Sequence, residues 1–183
     1  MNTIQPLVGE IADILLKRGY KLRVAESCTG GNISHTLTET DGSSSWFEGG
    51  MTTYTPETKQ EWLLKEWKEA WNEDLVREDV AVAMALSLWE KAPLRSSLIT
   101  LSTTGVAGDK PYCGHLPGEM WVAVVVCGEI YTLKVTLAPK ENRSERIASL
   151  TEAALRFLLS LLKQTIGDRS NNVYNQTLDT PIL

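Results

Sequence analysis

The feature that most constrains the fold is an unbroken apolar run of eight residues, Met120 to Cys127, rich in valine. β-Branched residues in so short a run fit a buried strand. A membrane-spanning helix needs about 20 apolar residues, so this longest run points away from the bilayer. A second apolar-rich stretch, Ile130 to Leu137, follows across Gly128-Glu129, and the two read as a β-hairpin.

Helical periodicity surrounds that hairpin. Ile4, Leu7, Val8, Ile11, Ile14 and Leu15 share one stripe, with Lys17-Arg18 in the last turn and Gly19 as the C′ residue. Leu22 to Ala25 reads as a strand that runs into a small-residue turn, and a short helix with Ile33 and Leu37 follows. Trp46 to Tyr54 reads as a strand in which Gly49-Gly50 marks a bulge or a close backbone approach. Thr55-Pro56 is a helix start, with Thr as N-cap and Pro at N1, which puts Lys59 in or near a first turn. Trp62, Trp67 and Trp71 lie in a charged stretch expected to be helical, and Leu75 to Leu88 reads as a helix. Ser97 to Ser102 is a buried strand leading to a glycine-bearing loop. Asn142 with Glu145 forms a capping-box start to a long final helix. The order is that of a layered α/β domain over residues 1–165, with a polar, flexible tail expected over 166–183.

A chain of 183 residues buries roughly 70% of its unfolded surface and needs no disulfide or metal staple. Its three cysteines, Cys28, Cys113 and Cys127, have no paired spacing and fit reduced thiols. The first residues carry no signal-peptide pattern, so a cytoplasmic location is expected. The net charge of −5, concentrated between Glu57 and Asp79, offers no clustered basic face, which argues against nucleic acid as a partner.

The chemistry must then come from few residues. Neither of the two histidines, His35 and His115, sits in a Gly-x-Ser-x-Gly or related hydrolase motif. Cys113-Gly-His115 supplies two ligands for a metal and no second pair, so no metal site is expected. Three loops of glycine and hydroxyl residues remain: Ser27 to Gly31, Gly42 to Ser45, and Thr103 to Gly108. Two of them leave predicted strands, where α/β folds place ligand sites, although such residues also dominate ordinary turns. A serine can act without histidine if a buried lysine is neutral and takes the hydroxyl proton. Lys59, following Ser43-Ser44-Ser45 and Tyr54, is a candidate for that base.

These residues resemble a known family. Ala25-Glu26-Ser27-Cys28-Thr29-Gly30-Gly31, Gly42-Ser43-Ser44-Ser45-Trp46-Phe47-Glu48-x-Gly50 and Thr53-Tyr54-x-x-Glu57-x-Lys59 are similar to motifs of the CinA C-terminal family. Thr104-Gly105-Val106-Ala107-Gly108, Lys110-Pro111, Gly118-x-x-Trp121-Val122-Ala123-Val124 and Asn142-Arg143 continue the likeness in order, over roughly residues 5 to 163. The resemblance implies a three-layer α/β/α sandwich with a mixed, mostly parallel sheet. It implies a cytoplasmic enzyme that hydrolyses the carboxamide of nicotinamide mononucleotide to nicotinic acid mononucleotide and ammonia, in pyridine-nucleotide salvage. Neither cofactor nor metal is implied, and a homo-oligomer, dimer or higher, is.

Carried over by motif, Ser44 looks like the nucleophile, Lys59 its general base, and Tyr54 an assistant in proton transfer or in placing the lysine. Ser27, Thr29, Gly30, Gly31, Thr104, Gly105 and Arg143 match substrate-binding positions. Arg143 would meet a phosphate with its forked guanidinium beside a helix N-terminus. The chain departs from the family at Asp109, where proline is usual, across Tyr112 to Leu116, at Glu141 and at Arg77. A carboxylate at 109 would oppose a phosphate if it faced the pocket. Two other outcomes stay open: a catalytically silent paralogue that binds a nucleotide or a partner, and a hydrolase for another small amide.

Overall fold

Residues 4–93, 95–138 and 142–166 are described by a computed structural model. The tail beyond 166 and the departure at Glu141 lie outside the described residues. Strands β1 (Lys21–Glu26), β2 (Phe47–Thr52), β3 (Leu98–Gly105), β4 (Glu119–Val126) and β5 (Glu129–Thr136) form one sheet in the order β2-β1-β3-β4-β5. β1, β2, β3 and β5 run one way and β4 alone runs against them, the mixed, mostly parallel sheet expected. Helices α1 (Ile4–Arg18), α2 (Asn32–Thr38) and α5 (Arg143–Thr165) cover one face, and α4 (Glu78–Glu90) covers the other; α3 is the single turn Pro56–Thr58. The result is the three-layer α/β/α arrangement.

Period-two alternation along β3 builds both layers at once. Ile99 and Leu101 enter the larger core with α1 and α5. The residues between them carry hydroxyls that dock α4: Thr100 Oγ1 donates to the Ala85 carbonyl at 2.9 Å and Ser102 Oγ to that of Ala81 at 2.6 Å. Small side chains on both partners let strand and helix approach, and each buried hydroxyl is satisfied. The final helix begins at the expected capping box, Asn142 with Glu145.

Several elements differ from expectation. The strand ending at Ser102 continues to Gly105, because Thr103, Thr104 and Gly105 keep pairing with β4. At Gly105 a Cβ would overlap the Glu119 carbonyl and Met120, so glycine is required for that close pairing. The hairpin turn is Cys127-Gly128, one residue early; both have positive φ, 54° and 83°, as a two-residue type I′ turn demands. The tryptophan-rich stretch is no continuous helix. A π-helical turn, Lys59–Leu63, gives way to extended chain and then a 3₁₀ turn at Glu69–Asn72. Burial decides it: Leu63, Leu64 and Trp71 all reach the α4 core, a pattern that no single helical stripe provides, while Trp62 stays outside. α4 itself starts at Glu78, three residues after Leu75, which is buried in extended chain.

Both readings of Gly49-Gly50 hold. The pairing register shifts between Leu22 and Arg23, leaving Glu48 as an extra residue, and a Cβ at Gly50 would collide with Ser34 of α2.

Candidate active site

β1 pairs with β2 on one side and β3 on the other, all parallel, so the chain order reverses across β1. In open α/β sheets ligands bind at the carboxyl ends of strands at such a switch point. Ser27 is the first residue beyond β1, Thr53 the first beyond β2, and Gly105 closes β3.

Lys59 reaches this edge from the turn that follows β2. Thr55 caps the short helix by accepting from the Thr58 N–H, Pro56 occupies N1, and Lys59 opens the π-helical turn. Turns of that kind recur at functional sites. Only 1% of Lys59 is exposed. Its Nζ donates to Ser27 Oγ at 2.8 Å and to the Thr53 carbonyl at 2.7 Å. Burial pulls the ammonium down to about 8, with the neighbouring Cys28 pulling weakly the other way. A lysine so placed has a substantial neutral fraction near physiological pH. The Cys28 thiol behaves oppositely: burial pushes it up to about 12, which leaves it protonated and a poor rival to Ser27 as a nucleophile.

The expected Ser44–Lys59 pair does not form. Ser44 sits in an exposed 3₁₀ turn, Ser43–Ser45, that precedes β2, whereas Lys59 follows β2. Six strand residues at about 3.3 Å each put roughly 20 Å between the two ends. The serine within reach of the lysine is Ser27.

A cavity of about 470 Å³ opens over Ser27 and Lys59, walled by Val76, Thr104, Gly105 and Tyr112 among others. A neighbouring one of about 620 Å³ is bordered by Gly30, Gly31, Asn32, His35 and Ser144. Cys28, Tyr54 and Arg143 border both. Arg143 Nη2 donates to the Tyr54 hydroxyl at 2.6 Å across the boundary. Tyr54 is therefore in the site but engaged with Arg143 rather than with Lys59. Thr104 Oγ1 donates to the Leu75 carbonyl at 2.8 Å, which fixes that hydroxyl. Thr29 borders the larger cavity with little exposure, its Oγ1 2.9 Å from the buried Thr103 Oγ1.

The glycine turn does not offer a free helix N-terminus. Gly30 and Gly31 have positive φ, 62° and 96°. The N–H groups that follow are taken by the Glu26 carboxylate: those of Gly31 and Ile33 at 3.0 Å and that of Ser34 at 2.8 Å, with Ser34 Oγ adding a fourth donor at 2.7 Å. Glu26 has no exposure at all. It is a built-in anion that neutralises the start of α2 and fixes the turn carrying Ser27. Its role was missed in the sequence, where the Glu immediately before the serine is the available signal. Glu26→Ala is expected to destabilise the fold by about 3 kcal/mol, since it orphans buried donors, as equilibrium urea unfolding would measure.

The carboxylate at 109 faces elsewhere. Asp109 Oδ1 lies 3.2 Å from Nη1 of Arg146, a buried side chain that also donates to the Ala107 and Gly108 carbonyls at 2.8 Å each. Asp109 borders neither cavity. Nor do Cys113 and His115 act as a ligand pair: Cys113 Sγ donates to the Glu73 carbonyl, and the His115 ring bridges Asp74 and Glu119. Among the described residues no cluster of His, Cys, Asp and Glu is disposed to hold a metal ion, and no helix is long and apolar enough to cross a membrane.

Comparison with known proteins identifies the family of this fold. The family model described as CinA C-terminal domain matches residues 4–162. A CinA-like protein of Desulfotalea psychrophila is 42% identical over 107 residues, 58% of this chain and 24% of that protein. One from Chlorobium chlorochromatii is 31% identical over 163 residues, 88% of this chain and 37% of that protein. The chain thus spans well under half the length of these relatives. Among solved structures, the competence damage-inducible protein A (ComA) of Klebsiella pneumoniae superposes with a TM-score of 0.81 at 26% identity, covering 90% of this chain and 99% of that one. The competence/damage inducible protein CihA of Agrobacterium tumefaciens gives 0.79 at 26%, covering 88% and 96%. On sequence and on fold alike, the chain belongs to the CinA C-terminal domain family.

Proposed function

We propose that the chain is an amide hydrolase that deamidates nicotinamide mononucleotide through Ser27 and Lys59. The observation that carries the reading is the buried Lys59 Nζ, 2.8 Å from Ser27 Oγ with its pKa lowered to about 8. In the neutral form that amine accepts the serine proton as Oγ attacks the carboxamide carbon. The resulting Lys59 ammonium returns the proton to nitrogen as the C–N bond breaks, releasing ammonia and leaving an acyl ester on Ser27. Lys59 then takes a proton from water, the hydroxide attacks the ester, and the proton goes back to Ser27 Oγ as the acid departs.

Arg143 suits an anionic substituent. It lies in the first turn of α5, where the helix dipole adds to its charge, and it borders both cavities. Tyr54 accepts from its guanidinium and holds it in place. With the α2 terminus filled by Glu26, the phosphate is assigned to Arg143 rather than to Gly30-Gly31.

The test is ammonia release from nicotinamide mononucleotide by the purified chain, with and without chelator. Release expected in both cases supports the reading. No release, with the mononucleotide still raising the melting temperature, would replace it with a silent nucleotide-binding protein. Arg143→Ala is expected to raise KM for the mononucleotide about 30-fold, from a lost charge-assisted contact of about 2 kcal/mol, and to leave the unphosphorylated riboside almost unaffected.

A further inference from the structure

The hairpin-like loop between β3 and β4 presents one aromatic ring to the catalytic cavity on an unusually firm mount. Tyr112 and His115 exchange backbone hydrogen bonds, 3.0 and 2.8 Å, across Cys113-Gly114, both with positive φ of 47° and 84°. This is a minimal type I′ turn. It is pinned on three sides. The His115 ring lies 2.9 Å from Asp74 Oδ2 and 3.3 Å from Glu119 Oε2, and Cys113 Sγ donates to the Glu73 carbonyl at 2.9 Å. The other Glu119 oxygen accepts from the Leu116 N–H at 3.2 Å, and Lys134 Nζ lies 3.4 Å from Glu119.

So held, Tyr112 is 46% exposed and borders the cavity of Ser27 and Lys59. The rest of the wall mixes small aliphatic residues, among them Val76, Val106, Ala107 and Pro111, with the basic side chains of Lys59, Lys110 and Arg143. The side chain interacts with neighbouring Cys113, and the half-exposed ring on this fixed turn is accessible to a ligand in the cavity.

We propose that Tyr112 is the specificity residue of this site, its ring face stacking on a planar, cationic heteroaromatic ring that bears the scissile amide. An offset-stacked ring pair gains specificity through area and quadrupole, and a positive ring gains further through cation–π attraction. This rests on the amide-hydrolase reading and narrows its substrates to amides on a pyridinium-type ring over aliphatic or uncharged ones.

The test uses the full chain and two probes, nicotinamide mononucleotide and its uncharged dihydropyridine form. Kd is read by calorimetry in the non-hydrolysing Ser27→Ala background, and KM and kcat in the otherwise native protein. Tyr112→Ala is expected to weaken mononucleotide binding and raise KM about 10-fold with kcat changed less than about 3-fold, while Tyr112→Phe stays within about twofold. The dihydro form is expected to bind more weakly than the mononucleotide and to lose less on Tyr112→Ala. Unchanged binding in Tyr112→Ala, or equal weakening in Tyr112→Phe, overturns the stacking role. So does a mononucleotide that fails to bind at all. If the protein binds the mononucleotide through Tyr112 but never releases ammonia, the hydrolase reading fails and the stacking role stands.

Discussion

Ser27→Ala is expected to lower ammonia release at least 1,000-fold, while Ser44→Ala leaves it within about twofold. Removing a covalent nucleophile costs its whole contribution to the chemical step, commonly 10³-fold or more. Ser27 is where the geometry concentrates: the first residue past β1, at the switch point, 2.8 Å from a buried lysine. Its backbone N–H bonds the Thr103 carbonyl at 3.1 Å, and Glu26 beside it is locked into α2, so the Oγ position is defined from both sides. Ser44 has none of these supports. Ser27→Ala removes one oxygen from a residue that is 8% exposed, and its melting temperature is expected to stay within a few degrees of the parent's. Equal loss in Ser27→Ala and Ser44→Ala would mean that the lysine serves some other nucleophile, and a fully active Ser27→Ala would end the serine mechanism.

The contrast between those serines shows what was legible in the sequence. Both lie in loops of small hydroxyl residues, and motif likeness favoured Ser44. Strand direction separates them: the loop at Ser27 leaves a strand, whereas the loop at Ser44 enters one. In a parallel sheet the first stands at the carboxyl edge with Lys59 and the second at the opposite edge. The periodic elements were readable because burial imposes their period, as in α1 and the valine-rich β4. Lys59 was readable through Thr55-Pro56, which starts its helix locally. Hidden from sequence were interactions set by tertiary approach. The Arg146–Asp109 pair beneath the Gly108 turn and the Arg143–Tyr54 bond join residues whose pairing no local pattern announces. The Trp62 to Trp71 stretch failed for the same reason, since burial there follows the surface of α4 rather than a helical repeat.

Lys59→Met is expected to abolish turnover and, unusually for a buried residue, to stabilise the fold at neutral pH. The activity side follows from the proton path: without the amine, nothing accepts the Ser27 proton. In the parent protein kcat/KM is expected to rise about tenfold per pH unit and level off above about pH 8, where Lys59 is neutral. The stability side follows from linkage. A shift from 10.5 to about 8 means the folded state disfavours the ammonium by about 3 kcal/mol. Below about pH 8 the lysine is charged in both folded and unfolded chains and that penalty is present in full. Between about 8 and 10.5 the unfolded chain binds more protons than the folded one, so stability contributed by this group rises with pH. Methionine fills a similar volume with no charge, so it escapes the penalty but loses the bonds to Ser27 and Thr53, worth about 1 kcal/mol each. The net gain at pH 7 is therefore about 1 kcal/mol. Urea unfolding of both proteins at pH 7 and pH 10 isolates the titration, because every other group cancels in the difference. The advantage of Lys59→Met is expected to shrink and reverse by pH 10; a difference that stays constant with pH would mean that Lys59 keeps an ordinary lysine pKa and is no base for Ser27.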